Sequence, residues 1–261
     1  MGFRFCSLVS GSSGNCQYIA TEKARLLLDA GLSGKRIQEL LAGIDAEASS
    51  IDGILVTHEH QDHIKGVGIL SRRFDIPIYA NEGTWAGMRD SLGKLEDRNI
   101  RVIKNSESFE IKDIGISPFS ISHDARDPLG YSFYNKNKKI SVLTDTGVAG
   151  NEVEEALRGS DLLMVESNHD PNMLKIGRYP QFLKQRVLGK LGHLSNEEAG
   201  VLVRNLDLNE NARVVLGHLS MENNFPELAY QTVRNVLEDA GMGSLSVDMT
   251  YRDRSTKVYE I

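Results

Sequence analysis

The chain has 261 residues, of which 40% are hydrophobic and 25% charged, and its formal net charge is −6. That balance excludes an intrinsically disordered, collagen-like or disulfide-stapled chain, and its sign excludes a protein that coats nucleic acid indiscriminately. A chain of this length buries roughly 70–75% of the surface its unfolded form exposes, so a metal here serves chemistry rather than folding.

Taken in order, residues 3–9 and 17–20 read as strands around the turn Ser10-Gly11-Ser12-Ser13-Gly14-Asn15, with a third strand over 25–29. Ser33 caps a helix whose Ile37, Leu40 and Leu41 share one face, and Gly43 stops it. A buried strand over 51–57 delivers the chain into His58-Glu59-His60-Gln61-Asp62-His63, and a helix over 64–73 follows. Further strands are expected over 76–80, 100–103, 115–122, 131–134, 140–144, 162–165, 213–216 and 245–249. Ser195-Asn196-Glu197-Glu198 is a capping box that opens a helix to about Asn205, and Pro226 opens another to about Ala240. No repeat or linker interrupts this mixture, which predicts one α/β domain over 1–261 with helices covering its sheets. Cys6 and Cys16 lack metal-site spacing and read as two reduced, half-buried thiols. Apolar runs far shorter than a bilayer span, and no basic leader at the start, predict a cytoplasmic protein with no membrane partner.

Ligand-type side chains recur at the C-terminal ends of the expected strands: Asp29, His58, His123, Asp145, Glu166 and His218. In Thr57-His58-x-His60-x-Asp62-His63, four such side chains fall within six positions at the mouth of a buried strand. Two imidazoles can aim at one point while the carboxylate and third imidazole aim at another, so the segment can supply two metals. Left uncompensated, the same groups would be costly to desolvate.

This segment resembles the hallmark of the metallo-β-lactamase superfamily, and the resemblance runs nearly end to end. Leu28-Asp29-Ala30-Gly31, Ser122-His123, Thr144-Asp145-Thr146-Gly147 and Leu216-Gly217-His218 match its other motifs. It implies an αβ/βα four-layer sandwich without a large inserted domain, the site lying along one edge of the two sheets. It further implies that His58, His60 and His123 hold one divalent ion, Asp62, His63 and His218 a second, and that Asp145 bridges them. Asp62 would also orient the attacking hydroxide. Nitrogen and oxygen donors without thiolate suit Zn²⁺ and admit Mn²⁺ or Fe²⁺.

Glu166 and His193-Leu194-Ser195 resemble the partner glutamate and His-Ser-Thr element of phosphodiesterase branches such as ribonuclease Z, which implies catalytic roles for His193 and Glu166. A helix-capping loop histidine is the other reading of His193. Between them, residues 171–196 carry Lys175, Arg178, Lys184, Arg186 and Lys190 and no acidic residue. Alone this reads as a solvated helix face; beside a binuclear site it suits a polyanionic backbone. Tyr179 and Phe182 are placed either to stack on bases or to pack beneath the strip. Ser13 and Asn15 belong to a turn whose small residues can approach phosphate oxygens, although a flexible turn explains it equally.

With Glu166-Ser167-Asn168-His169-Asp170 and Leu183-Lys184-Gln185-Arg186, these stretches resemble the bacterial YycJ/WalJ group. That resemblance implies a 5′-to-3′ DNA exonuclease linked to mismatch repair, activated by Mn²⁺, with nucleic acid bearing a free 5′ end as partner. His169 could support the site from behind or touch substrate. A hydrolase of lactones, thioesters or cyclic phosphodiesters, and an RNA-cleaving nuclease, stay open as alternatives, as does a homodimer. The short span from Asp145 to His193 leaves no room for the inserted domain of ribonuclease J and disfavours RNA processing.

Overall fold

The computed structural model describes residues 2–261. Two seven-stranded sheets stack face to face. The first holds β1 (Arg4–Val9), β2 (Cys16–Ala20), β3 (Arg25–Leu28), β4 (Gly53–Leu55), β5 (Ile78–Ala80) and β6 (Ile100–Val102). The second holds β7 (Phe109–Ile111), β8 (Ile114–Ser120), β9 (Leu129–Asn135), β10 (Lys138–Leu143), β11 (Leu162–Glu166), β12 (Arg213–Gly217) and β13 (Ser246–Met249). The last strand, β14 (Tyr259–Glu260), returns to pair antiparallel with β1. Each sheet joins an antiparallel meander, β1–β3 or β7–β10, to a parallel half, β3–β6 or β10–β13.

Between the sheets lies an apolar layer that includes Phe5, Leu28, Ile116, Tyr131, Phe133 and Met164. Helix α1 (Gly34–Ala42), one-turn α2 (Gln61–Ile64), α3 (Val67–Phe74) and α4 (Glu82–Leu92) follow the strands of the first sheet. Ile37, Leu41, Val67, Leu70, Trp85 and Met88 pack its outer face. Next come α5 (Asn151–Leu157), α6 (Pro171–Ile176), α7 (Gln181–Val187), α8 (Asn196–Asn205) and α9 (Pro226–Asp239). Val153, Leu157, Ala199, Leu202, Val203, Val233 and Leu237 of α5, α8 and α9 pack the second sheet's outer face. This is the four-layer sandwich expected from the sequence. With both faces covered, the parallel strands β4, β10 and β11 read as continuous buried runs rather than alternating ones.

Caps fall where the sequence places them: Ser33 accepts from the Arg36 amide, and Ser195 with Glu198 forms the full capping box. Three expectations need correction. The helix expected over 64–73 is two helices, because the Gly66 amide leaves the helical ladder to donate to Ala30 O at 2.7 Å and α3 starts afresh at Val67. The strand expected over 51–57 narrows to Gly53–Leu55, since the Thr57 amide donates to Asp29 Oδ1 instead of a neighbouring strand. Cys6 and Cys16 are free thiols but wholly buried rather than half-buried, and burial pushes the Cys6 thiol up to about 11. Among the described residues no helix is long and apolar enough to cross a membrane.

Candidate metal centre and active site

Strands β8, β10, β11 and β12 run in one direction and β3 is parallel to β4, so the chain repeatedly turns at one edge of the sandwich. Asp29, Asp145 and His218, each just past a strand, have φ of 59°, 57° and 54°. Left-handed backbone is rare for such residues; here it ends a strand abruptly and turns the side chain inward. Gly31 makes the turn beside Asp62 possible, since a Cβ there would fall 1.6 Å from Asp62 O. The Asn15 amide donates to that same carbonyl at 2.8 Å, stapling the 10–15 turn to the histidine segment.

Donor atoms of His58, His60 and His123 lie within 4.8 Å of one another, and so do those of Asp62, His63 and His218. These are the two trios the sequence resemblance implies. Asp145 stands between them: its Oδ2 is 3.3 Å from His63 Nε2, and its Oδ1 is 3.5 Å from His218 Nε2 and 3.8 Å from His123 Nε2. Four of the imidazoles have Nδ1 tied back into the protein. His63 donates to Asp29 Oδ2 at 2.7 Å, His218 to Glu166 Oε1 at 2.7 Å, His58 to Thr57 Oγ1 at 2.9 Å and His123 to Gly192 O at 3.3 Å. A ring that donates from Nδ1 keeps a lone pair on Nε2, the arrangement typical of metal-ligating histidines. His218 Nε2 and Asp145 Oδ2 are buried without a hydrogen-bond partner. A divalent cation would satisfy both, so the residues fit bound metal.

In the metal-free chain burial is outweighed at two of these rings: Asp29 and Asp145 raise His63, and Asp145 and Glu166 raise His218, so a divalent ion would displace their protons on binding. Burial raises the Asp29 carboxyl, against the opposing pull of His63. Asp145 is held well below the carboxylate range: burial opposes this, but the facing His218 and His63 outweigh it. Burial pushes His58 well down, keeping it neutral and able to ligate.

Glu166 does more than the sequence suggests. Wholly buried, it accepts on Oε1 from both His218 and His193 Nδ1, each at 2.7 Å, and on Oε2 from the amides of Thr146 (3.0 Å) and Leu194 (3.3 Å). Burial would raise its pKa, but His193 and these hydrogen bonds bring it down to about 2. His193 is lifted to about 9, because the Glu166 charge and hydrogen bond, aided by Asp145, overcome its burial. Asp62 is the partly exposed carboxylate of the set, with Oδ2 3.7 Å from His63 Nε2.

The expected substrate contacts are more dispersed. A cleft of about 160 Å³ beside His193 is lined by Ser12, Tyr179, Leu183, Arg186 and Ser220 among others. Ser13 is exposed on the turn, and its neighbour Ser12 reaches the cleft. Asn15 is buried: it accepts from the Gly11 amide, and its Nδ2 lies 3.1 Å from His63 Nε2, which places the turn against the ligand. Among the five cations of the basic island only Arg186 lines the cleft, and it is paired with Asp124. Lys184 bonds Lys175 O at 2.7 Å, Arg178 lines a separate hollow with Ile176 and Glu222, and Lys175 and Lys190 are exposed. Tyr179 faces the cleft, whereas Phe182 is 71% exposed and packs beneath nothing.

His169 is 1% exposed and neither ring nitrogen has a hydrogen-bond partner; burial pushes it down to about 4. The folded chain therefore keeps this ring neutral where the unfolded chain, near pH 6.5, begins to bind a proton. Stability is full above that pH and falls as acid is added between about 6.5 and about 4, by up to about 3 kcal/mol from this ring. Urea unfolding of metal-free protein at pH 7 and 4.5 should show a smaller acid loss in His169→Leu than in wild type; equal losses would remove His169 from the account.

Residues 24–219 match the model of the family described as beta-lactamase superfamily domain. The chain is 44% identical over 258 residues to exodeoxyribonuclease WalJ of Streptococcus pneumoniae serotype 2, covering 98% of this chain and 95% of that one. It is 41% identical over 243 residues to exodeoxyribonuclease YycJ of Bacillus anthracis, covering 93% and 92%. Its fold is similar to the metallo-β-lactamase fold protein YhfI from Bacillus subtilis, with a TM-score of 0.72 over the full length of both chains at 15% identity. It is also similar to the short form of human tRNase Z, with a TM-score of 0.66 at 20% identity over 97% of this chain and 98% of that one.

Proposed function

The chain belongs to the beta-lactamase superfamily, and from that membership we propose that it is a metal-dependent phosphodiesterase, a 5′-to-3′ DNA exonuclease working with two divalent ions. Zn²⁺ and Mn²⁺ suit its donor set, and Fe²⁺ is admitted. The exodeoxyribonuclease names of its full-length relatives support DNA as the substrate. The 5′ polarity and a place in mismatch repair rest on the group resemblance.

The observation that carries the reading is the shared carboxylate: Glu166 Oε1 fixes His218, a member of the two trios, and His193, which lies outside them though its donor atom falls within 4.8 Å of those of Asp145, Glu166 and His218, at equal distances. A hydrolase of neutral esters has little use for a second, cationic imidazole fixed beside its metals; a reaction at a phosphodiester does. His58, His60 and His123 would hold one ion, Asp62, His63 and His218 the other, with Asp145 between. When bound, such ions acidify water and stabilise charge developing on the attacked group. Asp62, at the open side, accepts a proton from the attacking water and orients it. His193, whose imidazolium the ionised Glu166 carboxylate stabilises through Nδ1, would donate its Nε2 proton to a phosphoryl or leaving oxygen. Tyr179, Leu183 and Arg186 line the cleft beside His193, where they would flank a nucleoside and face its phosphate.

The test is purified protein with Mn²⁺, Zn²⁺ or Mg²⁺ against end-labelled duplex DNA, single strands, RNA and bis-p-nitrophenyl phosphate. Mononucleotides released from the 5′ end, and lost on chelation, are expected; turnover confined to lactones or thioesters would overturn the reading. In the Lys184→Gln/Arg186→Gln protein, DNA cleavage should weaken, and the slope of log kcat/KM against log salt should flatten by about 1 to 2. An unchanged slope would remove both side chains from the substrate path.

A further inference from the structure

We propose that the groove which meets the His193 cleft across residues 10–12 and 219–220 is a second binding site for the substrate strand, holding unpaired DNA by stacking bases on Phe225 and Tyr251 beside Arg252. The proposal rests on the phosphodiesterase reading and extends it to a surface outside the ligand set and the basic island.

The groove measures about 410 Å³, larger than the cleft at His193, and is walled by Leu219, Met221, Phe225, Tyr251 and Arg252. Its lining is tied to the candidate metal centre through Ser10, whose Oγ accepts from the His218 amide at 2.8 Å. Ser10 and Leu219 line the groove, whereas Ser12 and Ser220 line the His193 cleft. One or two residues of extended chain reach at most about 7 Å, so the two depressions adjoin. Arg252 crosses the ridge between them, its Nη2 donating to Ser220 O at 2.6 Å. Its stem lies against Gly11, where φ is +152° and a Cβ would come to 3.0 Å from Arg252 Cγ, so a glycine there lets the arginine settle over the turn.

Charge and shape favour one occupant. The Arg254 guanidinium sits 4.1 Å from the Tyr251 ring centroid, and Arg36 donates to Asp253 O at 2.7 Å. Arg252 thus lines the groove and Arg254 stands against its Tyr251 wall, with one lining carboxylate, Asp253, between them, while Arg36 is paired with Glu39 at 3.2 Å. Met221 is 70% and Phe225 46% exposed on the rim. Aromatic platforms interleaved with arginines, running from a phosphodiester-cleaving centre, match how single strands are gripped without sequence preference.

The experiment is fluorescence anisotropy of the full chain with a 3′-labelled oligo-dT single strand and an abasic strand of equal length, chelator blocking cleavage. Phe225→Ala and Tyr251→Leu should each weaken oligo-dT binding by about five- to a hundredfold. The same variants should bind the abasic strand as wild type does. Tyr251→Phe should restore oligo-dT affinity, and Tyr134→Ala, an exposed aromatic on β9, should not alter it. Arg252→Gln should flatten the salt dependence by about 0.7. Wild-type affinity in Phe225→Ala and Tyr251→Leu, or an equal loss on the abasic strand, would overturn the proposal. Cleavage of end-labelled duplex DNA, single strands and bis-p-nitrophenyl phosphate by the wild-type chain with Mn²⁺ is read in parallel: cleavage with unaltered groove variants sinks the groove alone, whereas no cleavage of any of them sinks the phosphodiesterase reading beneath it.

Discussion

Replacing Asp145 by Asn lowers the hydrolytic rate on the order of a thousandfold or more and removes at least one bound divalent ion, while the fold survives. Asp145 is the carboxylate that reaches both trios, His63 and His218 on one side and His123 on the other. Its burial is tolerated because those facing groups hold it ionised. An amide keeps the shape but carries no charge, so it cannot neutralise two adjacent cations. Asparagine also tolerates the left-handed backbone at φ 57°, so the turn after β10 persists. Metal content, circular dichroism and turnover of bis-p-nitrophenyl phosphate, measured together, check the result; a variant that keeps its metals and its rate would refute the bridging role.

The second large effect separates acid catalysis from metal binding. His193→Ala should lower kcat by about 10²- to 10⁴-fold with the metal content unchanged, the range expected of a lost general acid. The reason lies in Glu166: its Oε1 is shared, so loss of His193 leaves the bond to His218 in place. Glu166→Ala differs, because it frees both rings and leaves the Thr146 and Leu194 amides without their acceptor. It should lose kcat as His193→Ala does and also weaken metal affinity by about 10- to 100-fold. Equal metal retention in the two variants, read by titration against a chelating dye, would contradict the shared-carboxylate account.

Much of this site is written in short-range signals. The segment from His58 to His63, the strand-ending Asp29, Asp145 and His218, and the Ser195 capping box are each local patterns, and each sits where its pattern places it. Helix α4 has no such signal, because Gly83 and Gly87 interrupt its apolar period. The strands β7 and β14 are too short to show alternation. The double bond of Glu166, the approach of Asn15 to His63 and the unpartnered ring of His169 depend on which chain segments meet at one edge, and spacing carries no such information. The basic island misleads for a related reason. Five like charges in sequence suggest one strip, but two short helices and the loops around them disperse the five, and only Arg186 lines the His193 cleft, while Arg252, distant in sequence, lines the neighbouring groove.

Equilibrium dialysis of the metal-stripped chain against Mn²⁺ or Zn²⁺, followed by elemental analysis, tests the foundation most directly. Six side chains in two trios around one bridging carboxylate predict saturation at two ions per chain, falling when Asp145 becomes Asn. Saturation at one ion or none, or two ions held equally well after that substitution, would contradict it.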